Sequence, residues 1–88
     1  MRISVNRSGG FAGIERHATL DTTGRPDAVH LHALARNTLT AGQGTPPPGV
    51  PDGFHYAITI EGHTIHCADP HLTDAQRELI RTVLKEGA

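Results

Sequence analysis

The sequence predicts an α+β domain of two layers, a four-stranded antiparallel sheet with two helices on one face, in the order ββαββα. Two pairs of segments alternate apolar and polar residues with period two, each pair joined by a glycine-bearing connection. Two further segments carry apolar stripes at helical spacing, and each must bury that stripe against the apolar face of a sheet. The chain has 88 residues, enough for one hydrophobic core, so residues 1–88 read as a single domain.

Met1, Ile3 and Val5 alternate with Arg2, Ser4 and Asn6, which predicts a half-buried first strand. Ser8-Gly9-Gly10-Phe11-Ala12-Gly13 holds three glycines in six residues and reads as a loop. Ile14, Ala18 and Leu20 then resume the alternation, with Glu15, His17 and Thr19 on the other face, completing a hairpin. Thr22 to Asp27 is a turn into a helix, with Pro26 suited to the first helical position. Val29, Leu31, Leu34, Ala35, Thr38 and Leu39 follow helical spacing, so a helix is expected over Pro26–Thr38. The span 41–53 carries four of the six prolines and four glycines, including Pro46-Pro47-Pro48. It reads as a connector inside the domain or, alternatively, as a ligand for a proline-recognising partner.

Phe54, Tyr56, Ile58 and Ile60 alternate, Glu61-Gly62 makes a two-residue turn, and His63 to Ala68 returns. That turn places Ile60 opposite His63, Ile58 opposite Ile65 and Tyr56 opposite Cys67. One face is then mostly apolar, and the other carries His55, Thr59, Glu61, Thr64 and His66. After Leu72, Thr73-Asp74-Ala75-Gln76 has the form of a capping box, in which Thr73 and Gln76 satisfy each other's backbone N–H groups. Leu79, Ile80, Val83 and Leu84 form the stripe of the final helix, and Lys85 lies in its last turn.

Composition excludes several function classes. Lys plus Arg number 8 against 9 Asp plus Glu, a net charge of -1, with two Phe, one Tyr and no Trp. The cations are scattered along the chain and the aromatics are few, so nucleic acid is not an expected partner. The N-terminus turns polar at once and no apolar run approaches the ~20 residues of a membrane span. A cytoplasmic protein that touches no membrane is the expectation. Cys67 is single, faces inward and reads as a structural thiol.

Seven histidines raise a metal hypothesis. His30 and His32 stand two apart on a helix, and His63 and His66 lie on opposite faces of a strand. His17, His55 and His66 share the exposed sheet face, but no carboxylate or cysteine sits beside them at a ligand spacing. A metal-buffering role would rest on those three; the expectation is no metal and no cofactor. No Ser-His-Asp, Cys-His or paired-carboxylate spacing is present, and Asp69 reads as a turn residue with Pro70 rather than a base. The chain is therefore not expected to be an enzyme.

The first loop stands out. A hairpin closes with two residues, yet this connection is longer and carries Phe11, a large apolar side chain that turn chemistry does not require. Its glycines fit an ordinary turn; its aromatic fits a binding anchor.

Arg7-Ser8-Gly9-Gly10-Phe11-Ala12-Gly13-Ile14, following Ile3-Ser4-Val5, resembles the N-terminal signature of the emfourin-like proteins. These are small inhibitors of protealysin and related thermolysin-like zinc metalloproteases. The similarity continues in outline through Leu20-Asp21, Asp52-Gly53-Phe54-His55-Tyr56-Ala57-Ile58, Leu72 and Arg77-Leu79-Ile80. The resemblance implies a protein, monomeric when free, that blocks the active site of a thermolysin-like metalloprotease. Its binding loop would be Ser8, Gly9, Gly10, Phe11, Ala12 and Gly13, with secondary contacts from Arg7, Ile14 or the neighbouring Glu61-Gly62 turn. The zinc involved would be the target's. The competing expectation is a small interaction or regulatory module with another partner.

Overall fold

The computed structural model describes residues 1–9, 15–41, 53–69 and 71–88. Its elements are β1 (Arg2–Gly9), β2 (Arg16–Asp21), α1 (Ala28–Ala41), β3 (Phe54–Ile60), β4 (His63–Ala68) and α2 (Asp74–Glu86). The four strands form one antiparallel sheet in the order β2-β1-β3-β4. This is the ββαββα, α+β fold that the alternation and the two stripes predict. The connector at 41–53 lies, from Gly42 to Asp52, outside the described residues.

One face of the sheet supplies half the core. Ile3 and Val5, Ala18 and Leu20, Tyr56, Ile58 and Ile60, and Ile65 and Cys67 are buried there. Leu31, Leu34 and Ala35 of α1 and Leu79, Ile80, Val83 and Leu84 of α2 close over them in the same cluster. At about 25 cal/mol per Å² of apolar surface, this burial is the main favourable contribution to folding. The opposite face is polar. Along one cross-strand row Thr19, Ser4, Thr59 and Thr64 stand side by side. Ser4 and Thr19 hydroxyls lie 3.0 Å apart, and those of Thr59 and Thr64 2.8 Å apart, the hydroxyl pairing that stabilises adjacent strands.

The β3–β4 hairpin has the expected register, with Ile60 opposite His63, Ile58 opposite Ile65 and Tyr56 opposite Cys67. Glu61 and Gly62 both take positive φ, 50° and 82°, as the tight hairpin turn whose twist matches that of the strands requires. The capping box is formed as well: Gln76 N–H donates to Thr73 Oγ1 at 3.1 Å, and Thr73 N–H to Gln76 Oε1 at 3.0 Å.

The first helix departs from expectation at both ends. Its first helical bond runs from Leu31 N–H to the Asp27 carbonyl at 2.9 Å. Pro26 therefore precedes the helix instead of opening it, and Arg25 grips Asp27 at 2.9 Å across the proline. At the other end the helix continues to Ala41, because Leu39 still packs against the core. Val29, counted in the apolar stripe, is 83% exposed; two residues from Leu31, it is turned about 200° away.

Candidate functional site

The site expected from the sequence begins where β1 ends, and its first two residues are strand rather than loop. β1 is a central strand. Its ladder with β2 closes at Arg7 opposite Arg16, but its ladder with β3 runs on through Ser8 opposite His55 and Gly9 opposite Phe54. Pairing with β3 thus carries regular structure two residues beyond the end of the hairpin. Gly10, Phe11, Ala12, Gly13 and Ile14 lie outside the described residues.

Gly9 has a backbone reason to be glycine. Its φ is +86°, and a Cβ there would stand 3.0 Å from the Gly53 carbonyl oxygen. A side chain would meet both a disfavoured backbone region and a backbone atom. Beside it, the Arg7 guanidinium lies over the Phe54 ring, 4.3 Å from its centroid, an attractive cation–π arrangement. Phe54 in turn leans on Tyr56, with centroids 6.3 Å apart. Asp69 fastens the start of β3: its N–H donates to the Phe54 carbonyl at 3.0 Å, and its carboxylate accepts from Phe54 N–H at 3.4 Å. The strand end at Gly9 is therefore held by its pairing with β3 and by the contact of Arg7 with Phe54.

The Glu61-Gly62 turn is not a neighbour of this end. Glu61 N–H donates to the Arg2 carbonyl, and Ile60 pairs with Ile3, so the turn stands beside the start of β1. Eight strand residues separate it from Gly9, about 23 Å at the usual rise per residue. The antiparallel pairing of β1 with β3 is the reason, since β3 leaves the sheet where β1 enters it. What adjoins Gly9 instead is the start of β3 and the Asp69 turn.

Arg7 and Arg16, directly opposite each other at the end of the β1–β2 ladder, open onto a groove against α2. Arg16 donates to the Leu84 carbonyl at 2.7 Å, satisfying a carbonyl that the helix end leaves free. The groove holds about 520 Å³, and five of the chain's eight Lys and Arg residues line it: Arg7, Arg16, Arg77, Arg81 and Lys85. Scattered in sequence, these cations are gathered by folding. Sequence reasoning missed the groove, although Arg77, Arg81 and Lys85 at i, i+4 and i+8 form one stripe beside the apolar stripe of α2.

The remaining candidates stay apart. His17, His55 and His66 do share the polar face, but His17 and His66 stand on opposite edge strands with Asn6 and Ala57 between them. Among the described residues no group of three or more His, Cys, Asp or Glu side chains is placed to hold a metal ion. His30 instead faces Glu78 across the two helices, and His32 bonds Thr22 at 2.8 Å. Cys67 is buried beside Tyr56, and burial pushes its thiol up to about 11, far from the activated range of a nucleophile. No helix among the described residues is long and apolar enough to cross a membrane.

Comparison with known proteins gives one match, a family model described as Emfourin, over residues 5–84. Neither the curated proteins nor the solved structures contain a match to the chain.

Proposed function

The chain belongs to the Emfourin family, and on that premise we propose that it inhibits a thermolysin-like, protealysin-type zinc metalloprotease by inserting the Ser8–Gly13 segment into the active-site cleft. Family membership carries a protease-inhibitor role in general, without catalysis by the inhibitor itself. The metalloprotease target and the mechanism are our reading.

The observation that supports the reading is the anchorage of Gly9. It terminates a central strand that pairs with β2 as far as Arg7 and with β3 as far as Gly9 itself, with Arg7 stacked on Phe54 two residues before it. A segment that leaves such an anchor has lost part of its conformational freedom before it meets the enzyme. Binding then costs less ordering entropy, and cleaved ends would stay in place. Thermolysin-like enzymes favour a large apolar residue just after the scissile bond, and Gly10-Phe11 offers that order. Phe11 fills the apolar pocket, while the Gly9 or Gly10 carbonyl or the Ser8 hydroxyl approaches the target's zinc. Arg7 and Ile14 flank the contact. The inhibitor acts as a monomer and needs no cofactor of its own.

The test is inhibition of purified thermolysin-like proteases by the folded protein, with Phe11→Ala alongside. Stoichiometric inhibition is expected, and loss of the anchor should weaken it by about 2 kcal/mol or more, roughly 30-fold. A well-folded wild type that inhibits none of several such enzymes overturns the reading. An unchanged inhibition constant in the variant removes Phe11 from it.

A further inference from the structure

The groove between α2 and the end of the β1–β2 ladder combines two properties. Its rim is cationic: Arg7, Arg16, Arg77, Arg81 and Lys85 line it, and among the described residues no carboxylate does. The chain as a whole carries a net charge of -1, so this positive field is local. Asp74 reaches Arg77 at 3.4 Å from a fully exposed position, a contact of little worth in water. Arg81 and Lys85 make no ion pair among the described residues. The Arg7 Nε is buried with no hydrogen-bond partner among them. The floor, by contrast, is aliphatic: half-buried Leu72 forms its accessible part, over the buried Ile80, Leu84 and Tyr56.

We propose that this groove is a docking site for an acidic peptide segment that also carries aliphatic side chains. Guanidinium groups pair with carboxylates through two parallel hydrogen bonds, and the Leu72 floor receives aliphatic side chains between them. A single-stranded nucleic acid would answer the charge but not the floor. Base stacking needs exposed aromatic faces, and Tyr56, the one aromatic residue of the lining, is 8% exposed. The groove shares Arg7 with the proposed inhibitory contact, but Arg77, Arg81, Lys85 and Leu72, the residues tested below, lie outside that contact, so the two readings stand or fall separately.

The test needs no protease. A fluorescein-labelled octapeptide of Glu interspersed with Leu is titrated by anisotropy against the isolated protein, beside its Gln-for-Glu counterpart and an oligothymidylate. The acidic peptide should bind, its Gln counterpart should not, and binding should weaken as salt rises from about 50 to about 300 mM. The combined Arg77→Gln, Arg81→Gln, Lys85→Gln variant alters exposed side chains only and should bind about tenfold more weakly or worse, with an unchanged circular dichroism spectrum. Leu72→Ser should weaken the peptide as well. Absence of peptide binding, equal binding by the triple variant, or tighter binding of the oligothymidylate overturns the proposal.

Discussion

Thr19 and Ala88 exchange both of their backbone hydrogen bonds, at 3.1 and 3.0 Å, so Ala88 pairs with the outer edge of β2. An open strand edge invites pairing with another chain, and here the middle of one edge is already taken. The approach needs Gly87. A Cβ at that position would stand 2.6 Å from the Val83 carbonyl oxygen and 2.8 Å from that of Thr19. Gly87→Val must therefore displace the tail. Because the tail can detach rather than distort the sheet, the loss should be limited to about 1–2 kcal/mol, read from the urea midpoint. An unchanged midpoint would mean that the Thr19–Ala88 pairing contributes nothing.

Gly9→Ala examines the root of the proposed inhibitory segment. The residue must hold φ near +86° and fit a Cβ 3.0 Å from the Gly53 oxygen. A destabilisation of roughly 1–3 kcal/mol is expected. Inhibition by the proposed segment should weaken too, since the strand end at its root has to shift. Full stability together with full inhibition would show that the strand end tolerates a side chain and does not position the segment.

The β3–β4 hairpin was legible because a two-residue turn and strict alternation leave only one register that buries Tyr56, Ile58, Ile65 and Cys67 together. The Thr73–Gln76 box was legible for a similar reason, its chemistry being complete within four residues. The far end of β1 was not. Ser8 and Gly9 carry no strand signal, and they are ordered by pairing with His55 and Phe54, more than forty residues away. The same long-range pairing sends the Glu61-Gly62 turn to the opposite end of the sheet from Gly9. The cationic groove depends on Arg16 meeting the C-terminal half of α2, a contact between residues 68 apart. Its α2 stripe was visible; its partner strand was not.

Glu61 occupies a position that favours asparagine or glycine, with φ at 50°. Glu61→Asn should relieve left-handed backbone strain and restore the preferred Asn-Gly turn. Its ion pair to the Met1 ammonium, at 3.7 Å, is exposed and contributes about 0–1 kcal/mol. A net gain of roughly 0.5–1 kcal/mol is expected, with inhibition unchanged because the turn stands away from Gly9. A higher inhibition constant would extend the protease contact to that end of the sheet.

Cys67 gives the molecule an alkaline limit. Burial first, and the negative charge of Asp69 second, push its thiol from 9.0 up to about 11. A folded-state value above the unfolded one means that the stabilisation is fully present below pH 9 and is lost as pH rises through about 11. Tyr56 is displaced in the same direction, by burial first and Asp69 next, and adds to the loss above its ordinary 10.0. Stability measured against pH should therefore fall over this window, and Cys67→Ala should flatten the part that begins near pH 9. In the folded wild type, labelling by a disulfide reagent near pH 8 should run roughly 100-fold slower than in urea, since the raised thiol holds that much less thiolate. Equal labelling rates, or an alkaline slope that Cys67→Ala leaves untouched, would show that the thiol ionises in the folded protein without meeting the core.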